Sequence, residues 1–252
     1  MKKALILYMH GLGDIILLTP CLRNLYRQGY IVDLVAKQRT IDSHLLDDCP
    51  YVDKIIGINE SIPFDRGYME IYESMCPEYD LTDKVTYAPF NRKSKIEQCE
   101  WELGLDLKGD CGLEVFISQS AQDTAQEYIE RFYPDGYIFN HTMIEIHPPH
   151  SWDSTQWIKD NLPRLPICDT GYNGKQFMLF EDINAVFVLA REANHRVLSS
   201  SVMVHACDAM GSTMDIINYH TDTTEHQGRT SKVWPLDQTK VFQIREFGKY
   251  LK

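Results

Sequence analysis

The chain has 252 residues, 44% hydrophobic, 24% charged and 11% aromatic, a balance that excludes disordered, collagen-like and coiled-coil classes. Such a length holds one large domain or two of roughly 100–150 residues. The formal net charge of -11 makes the surface as a whole repel nucleic acid and other polyanions.

The apolar stretch from Ala4 to Met9 is far shorter than the roughly 20 residues of a membrane span. No small-residue cleavage site follows it, so the chain reads as soluble and unexported. The seven cysteines (Cys21, Cys49, Cys76, Cys99, Cys111, Cys168 and Cys207) form no C-x-x-C pair. Reduced thiols and a cytoplasmic location are the expectation.

In chain order, Ala4 to Met9 reads as a strand covered on both faces of a parallel sheet. His10-Gly-Leu-Gly13 is a glycine turn, and Asp14 opens a helical pattern through Ile15, Ile16, Leu18, Leu22, Leu25 and Tyr26. Pro20 lies inside that pattern, which predicts either a later start or a bend. Ile31–Val35 is a second strand, Ser43–Asp48 a short helix and Tyr51–Ile56 a third strand. Alternating strands and helices are the mark of a doubly wound parallel sheet. Residues 60–112 are too interrupted by Pro, Gly and polar residues for assignment.

Gln119–Phe132 is a helix, closed by Tyr133-Pro-Asp-Gly136. A second unit follows: a strand over Met143–Ile146, a loop over His147–His150 and a helix over Ser154–Leu162. A helix over Asn184–Ala193, a strand over Arg196–Ser199, a helix over Val202–Met210 and a strand over Ile216–Tyr219 complete it. The tail from Gln238 to Leu251 is helical by spacing. The expected organisation is two Rossmann-like domains, 1–135 and 136–237, and a C-terminal helix over 238–252.

Ligands of such sheets bind at the carboxyl ends of the strands, where the Gly11 and Gly13 turn falls. Asp14 there can cap its helix, or stand as a carboxylate able to take a proton from a hydroxyl. Leu17 occupies the place of a third glycine, so the turn is not a dinucleotide fingerprint. Lys37 and Arg39, with Arg92, Lys93 and Lys95 in the run NRKSK, are the local basic groups; such a run reads as a solvated face, with contact to a phosphorylated partner as the alternative. His147 and His150 flank Pro-Pro in a rigid loop that suits ligand contact better than a metal cage, so no metal is assigned. Trp157 has core spacing, Trp152 is a candidate for stacking on a sugar or base, and Gly171-Tyr-Asn-Gly174 is a turn by composition.

The segment His10-Gly-Leu-Gly-Asp-Ile-Ile-Leu-Leu-Thr-Pro-Cys-Leu-Arg-Asn-Leu25 resembles the N-terminus of the heptosyltransferase family, glycosyltransferase family 9, with its L-G-D, apolar run and T-x-P step. Ile31–Val35 continues the likeness, as does Leu45–Ile56, which is similar to the family's P-x-V-D-x-V/I step. Leu198–Gly211 resembles the loop and helix by which the family's second domain holds the donor diphosphate. Ser200 stands there in place of an aspartate, Ser201 matches a Thr or Ser, Val202 replaces a glycine, and His205 is kept. The resemblance implies the GT-B fold, two Rossmann-like domains facing a cleft, with the acceptor on the first domain and the nucleotide-sugar donor on the second.

It also implies an inverting, metal-independent glycosyltransferase without cofactor. Asp14 would be the catalytic base, and His10, Gly11 and Gly13 would line the acceptor side. Ser199, Ser200, Ser201 and His205 would hold the donor. No lysine precedes Lys159 in the opening loop of the second domain, so His147, His150, Ser151 or Thr155 would contact phosphate instead. The donor expected is ADP-heptose-like. The acceptor is a bacterial surface-glycan sugar or, since a chain this short suits a phage protein, a hydroxymethylated base in DNA. A non-catalytic nucleotide or sugar binder and a metal-dependent phosphoesterase are the alternatives.

Overall fold

The computed structural model describes residues 2–59, 67–85, 95–142, 154–170, 179–199, 201–221 and 230–235. They fall into two compact units that divide between Phe116 and Ile117.

The first unit runs β1 (Lys2–Tyr8), α1 (Leu12–Arg27), β2 (Tyr30–Lys37), α2 (Gln38–Asp42), β3 (Val52–Ile58), α3 (Gly67–Met75), β4 (Leu81–Lys84) and α4 (Lys95–Glu102). Its sheet has the order β3-β2-β1-β4 and every pairing is parallel. Both faces of β1 are covered, as its continuous apolar run requires, and Ala4 to Tyr8 are buried. Leu5 and Leu7 pack with Val35, Ile58 and the α3 residues Tyr68 and Tyr72. Gly57 lets α2 lie close on β3, since a Cβ there would meet the Ile41 Cδ1 at 2.7 Å.

Helix α1 starts at Leu12 and passes through Pro20, so the expected late start does not occur. Proline supplies no N–H to the Ile16 carbonyl one turn back. The Thr19 hydroxyl donates to that carbonyl instead, at 2.8 Å, and accepts the Glu114 N–H at 3.0 Å. Arg23, one turn on, ties the same stretch down through Asp110 and Glu114, each at 2.7 Å. The helix expected over Ser43–Asp48 is also corrected. Helix α2 comes earlier, and His44, with φ 59, turns the chain out of helical geometry.

The second unit runs α5 (Gln119–Phe132), β5 (Ile138–His141), α6 (Thr155–Asn161), β6 (Ile167–Asp169), α7 (Ile183–Glu192), β7 (His195–Ser199), α8 (Val202–Ala209), β8 (Ile216–Thr221) and β9 (Thr230–Pro235). The sheet order is β6-β5-β7-β8-β9, parallel except for the antiparallel pair β8–β9. Helix α5 packs on α7, which places it in this unit and not at the end of the first domain. The strand opening this sheet is β5; the one expected at Met143–Ile146 and the tail helix over 238–252 lie outside the described residues. Ile138, Ile158 and Val197 form a core cluster, with Trp157 packed against it as its spacing predicts. None of the seven cysteines is joined in a disulfide, and no described helix is long and apolar enough to cross a membrane.

A buried cation fixes the way α7 passes into β7. Arg196 is 6% exposed, and its guanidinium donates to the carbonyls of Ala190, Arg191, Ala193 (2.7 Å) and Thr213 (3.1 Å). Three of these belong to the last turn of α7 or just beyond it, where a cation also opposes the helix dipole. Arg196→Met leaves four carbonyls without that donor, and should destabilise the second unit by about 3 kcal/mol in urea unfolding.

Candidate functional site

Each sheet reverses its strand order beside its first strand. From β1 the chain moves to β2 and β3 on one side, while β4 pairs on the other. From β5 it moves to β6 on one side, while β7 and β8 lie on the other. At such a reversal the connections leave in opposite directions and open a crevice at the carboxyl ends of the strands. A side-chain bond crosses each reversal at its carboxyl edge. The His10 Nε2 lies 2.9 Å from the Val85 carbonyl just after β4, and the Ser199 Oγ donates to the Thr142 carbonyl just after β5, at 3.0 Å.

In the first unit the crevice is floored by the start of α1. Gly11 is its N-cap, in extended conformation with φ -79 and ψ 165, and Gly13 lies inside its first turn. A side chain on Gly11 would approach the Asp14 Oδ2 to 3.4 Å. Asp14 is the third helical residue. Its Oδ2 accepts the Gly11 N–H at 3.2 Å, the backward half of a capping box. Its Oδ1 pairs with Lys95, the first residue of α4. The Tyr8 hydroxyl, buried in β1, donates to the Asp14 carbonyl at 2.6 Å. Asp14 therefore caps its helix and still keeps 18% of its side chain exposed.

His10 stands edge-on to Tyr8, with ring centroids 4.9 Å apart. Its contact with a carbonyl assigns the proton to Nε2. Burial lowers its pKa, against the opposing effects of the Val85 carbonyl and Asp14, and Lys95 and Lys37 lower it further. Lys37 and Lys95 thus both act on His10, beside Asp14. Arg39 sits on α2, and Arg92 and Lys93 lie outside the described residues.

In the second unit the crevice is floored by buried polar side chains. Asn140 Oδ1 faces the hydroxyls of Thr142 (3.2 Å) and Ser154 (2.9 Å), which lie 3.1 Å from each other. His141 Nδ1 is 3.0 Å from the Thr170 carbonyl, and burial pushes its pKa down to about 4. Ser199 is fully buried, its hydroxyl taken by Thr142. Ser201 is the N-cap of α8 and accepts the Met203 N–H at 3.3 Å, with His205 one turn further along that helix. Ser200, His147, His150 and Ser151 lie outside the described residues, as do Trp152 and Tyr172.

The structure thus brings His10, Gly11, Gly13 and Asp14 together at one strand edge, and Ser199, Ser201 and His205 at another. Sequence reasoning missed Lys95 as the partner of Asp14, and missed Asn140, His141, Thr142, Ser154 and Thr170. The polar run directly after the apolar Tyr137-Ile-Phe139 was the available signal for the first three.

No protein family defined from sequence matches the chain, and no curated protein matches it by sequence. Solved structures do match. A family 9 glycosyl transferase from Veillonella parvula DSM 2008 aligns with TM-score 0.62 at 14% identity, over 86% of this chain and 81% of that one. The heptosyltransferase WaaC of E. coli, with ADP-2-deoxy-2-fluoro heptose, aligns with TM-score 0.55 at 12% identity over 98% and 99%. The E. coli ADP-heptose lps heptosyltransferase II gives 0.52 at 13% identity over 85% and 83%. The chain has the GT-B fold of the heptosyltransferase-like family 9 glycosyltransferases. Each described unit, with its Rossmann-like parallel sheet, accords with that fold.

The half-buried His10 and the buried His141 couple stability to acid. Both pKa values are lowered in the folded chain, so below the unfolded value of 6.5 the unfolded state binds protons that the folded state refuses. The stability that neutral His141 contributes is present above pH 6.5 and is lost as pH falls toward about 4. For His141 the slope between those two values is about 1.4 kcal/mol per pH unit. Urea midpoints measured from pH 7 down to pH 4.5 should fall steadily, and His141→Gln should flatten that fall in the second unit.

Proposed function

We propose that this protein is an inverting, metal-independent glycosyltransferase that moves a sugar from a nucleotide-diphosphate donor to an acceptor hydroxyl. The observation that carries the reading is the carboxylate of Asp14, held at the carboxyl edge of a Rossmann-like sheet yet partly open. Its distal oxygen is oriented by the Gly11 amide, so the other can receive a proton. The acceptor oxygen attacks the anomeric carbon as its proton passes to Asp14. The bond to the diphosphate breaks on the opposite side, which inverts that carbon. The second unit would neutralise the departing diphosphate at the start of α8, through the helix dipole, backbone amides and His205.

The names of the aligned structures support the donor class, since the E. coli proteins are ADP-heptose transferases or carry an ADP-heptose analogue. A surface-glycan sugar is the acceptor we favour over DNA, because the net charge of -11 repels a polyanion.

Thermal melting with ADP, UDP, GDP, CDP and dTDP tests the donor half. One diphosphate at 100 times its dissociation constant should add about 2.7 kcal/mol; no shift with any of them removes the donor reading. Asp14→Asn keeps an oxygen for the Gly11 amide, so the helix cap survives. Its diphosphate affinity should stay within about twofold while transfer falls by roughly 10²–10⁴. Undiminished transfer by that variant would exclude Asp14 as the base.

A further inference from the structure

The hydroxyl cluster at the reversal of the second sheet is built more thoroughly than packing requires. Asn140, Thr142, Ser154 and Ser199 come from three places in the chain: the end of β5, the residue before α6 and the end of β7. All four are buried, at 6%, 1%, 2% and 0% exposure. Ser154 occupies the N-cap position of α6 but makes no cap bond. Its hydroxyl goes to Asn140 instead, although Ser is among the best capping residues. Three oxygens meet around two hydroxyl protons, so in any arrangement one of the three contacts lacks a proton. Ser199 extends this ring across the reversal by donating to the Thr142 carbonyl.

The bond from Ser199 acts only two residues before Ser201, the cap of α8. It therefore fixes β7 against β5 next to the point where the helix amides begin. An apolar core would hold the strands apart at the right distance, but it would not set the direction in which the chain leaves β7. Hydrogen bonds do, because they lose strength steeply with angle.

We propose that Asn140, Thr142, Ser154 and Ser199 form a positioning clasp that aims the first amides of α8 at the diphosphate of the nucleotide sugar. This rests on the donor reading above. The four residues act through α8 and do not touch the ligand themselves. Removing a clasp hydroxyl weakens recognition of the diphosphate, while contacts made to the nucleoside by other parts of the unit are left alone.

The test titrates the whole chain with ADP, UDP, GDP, CDP and dTDP by calorimetry. The diphosphate that binds, and its matching nucleoside, are then titrated into Thr142→Val and Ser154→Ala. Each variant should weaken the diphosphate about tenfold, the effect of one lost buried hydrogen bond, with the nucleoside unchanged. Thr142→Ser, which keeps the hydroxyl, should restore the affinity. Should Thr142→Val fail to give the native circular dichroism spectrum, Ser154→Ala reads the same clasp from its other side. Unchanged diphosphate affinity in a folded variant overturns the proposal alone. Equal losses for diphosphate and nucleoside overturn it too, because they mark general loosening. A wild-type chain that binds none of the five diphosphates overturns the donor reading and the clasp with it.

Discussion

Parallel pairing with the first strand inside the sheet is the constraint on which the rest depends. Parallel neighbours cannot be joined by tight turns, so every connection must cross a face of the sheet. With β1 between β2 and β4, and β5 between β6 and β7, the crossovers leave the first strand in opposite directions. The carboxyl ends of those strands are thereby uncovered, and their last main-chain groups need partners that the ladder does not provide. His10 and Ser199 supply such partners, one in each unit. The residues proposed for chemistry stand at the same two points, because only there does a polar group approach a ligand without disrupting packed core.

The cap and base readings of Asp14 are compatible once its two oxygens are distinguished. One is occupied by the Gly11 amide and fixes the side-chain torsions. The other meets Lys95, a long and half-exposed side chain whose position is easily surrendered. A carboxylate held by an ammonium on a flexible stem remains reachable; one buried in a bidentate pair would not. Tyr8 adds rigidity from below, since its hydroxyl reaches the Asp14 carbonyl from the interior of β1.

Much of this was legible in the sequence where periodicity is strong. The run Ala4–Met9 announced a strand covered on both faces, and Gln119–Phe132 was read to the residue, closed by Tyr133-Pro; the structure adds the Ser118 cap at its start. Elements decided by tertiary context were not. Strand β5 carries only two apolar residues, Ile138 and Phe139, before Asn140 and His141 begin the polar floor. Strand β6 has three residues, too few for a pattern. Helix α2 and the turns after it exchanged places because His44 adopts a left-handed conformation, which nothing local demands of histidine. In the site, Asp14 was legible because strand, glycine turn and helix are contiguous. Lys95 was not, being 81 residues away, and had only the look of a solvated charge run.

At the start of α8, Ser200 and Val202 stand where the family 9 pattern has an aspartate and a glycine. Ser201 is extended, with φ -154, and Val202 is already helical, so no glycine is required for the chain to turn into the helix. The cost lies elsewhere. A branched valine crowds the approach to its own amide, and Ser201 occupies the Met203 amide through its hydroxyl and the Val204 amide through its carbonyl. The hydroxyl bond is long, at 3.3 Å, and an incoming phosphate oxygen carrying a full charge makes a stronger partner for the same N–H. On the donor reading proposed above, binding would exchange a weak cap for a charged one and release the Ser201 hydroxyl to donate to the ligand. Ser201 thus keeps the N-terminus of α8 ordered without the glycine-and-carboxylate loop that the resemblance led one to expect.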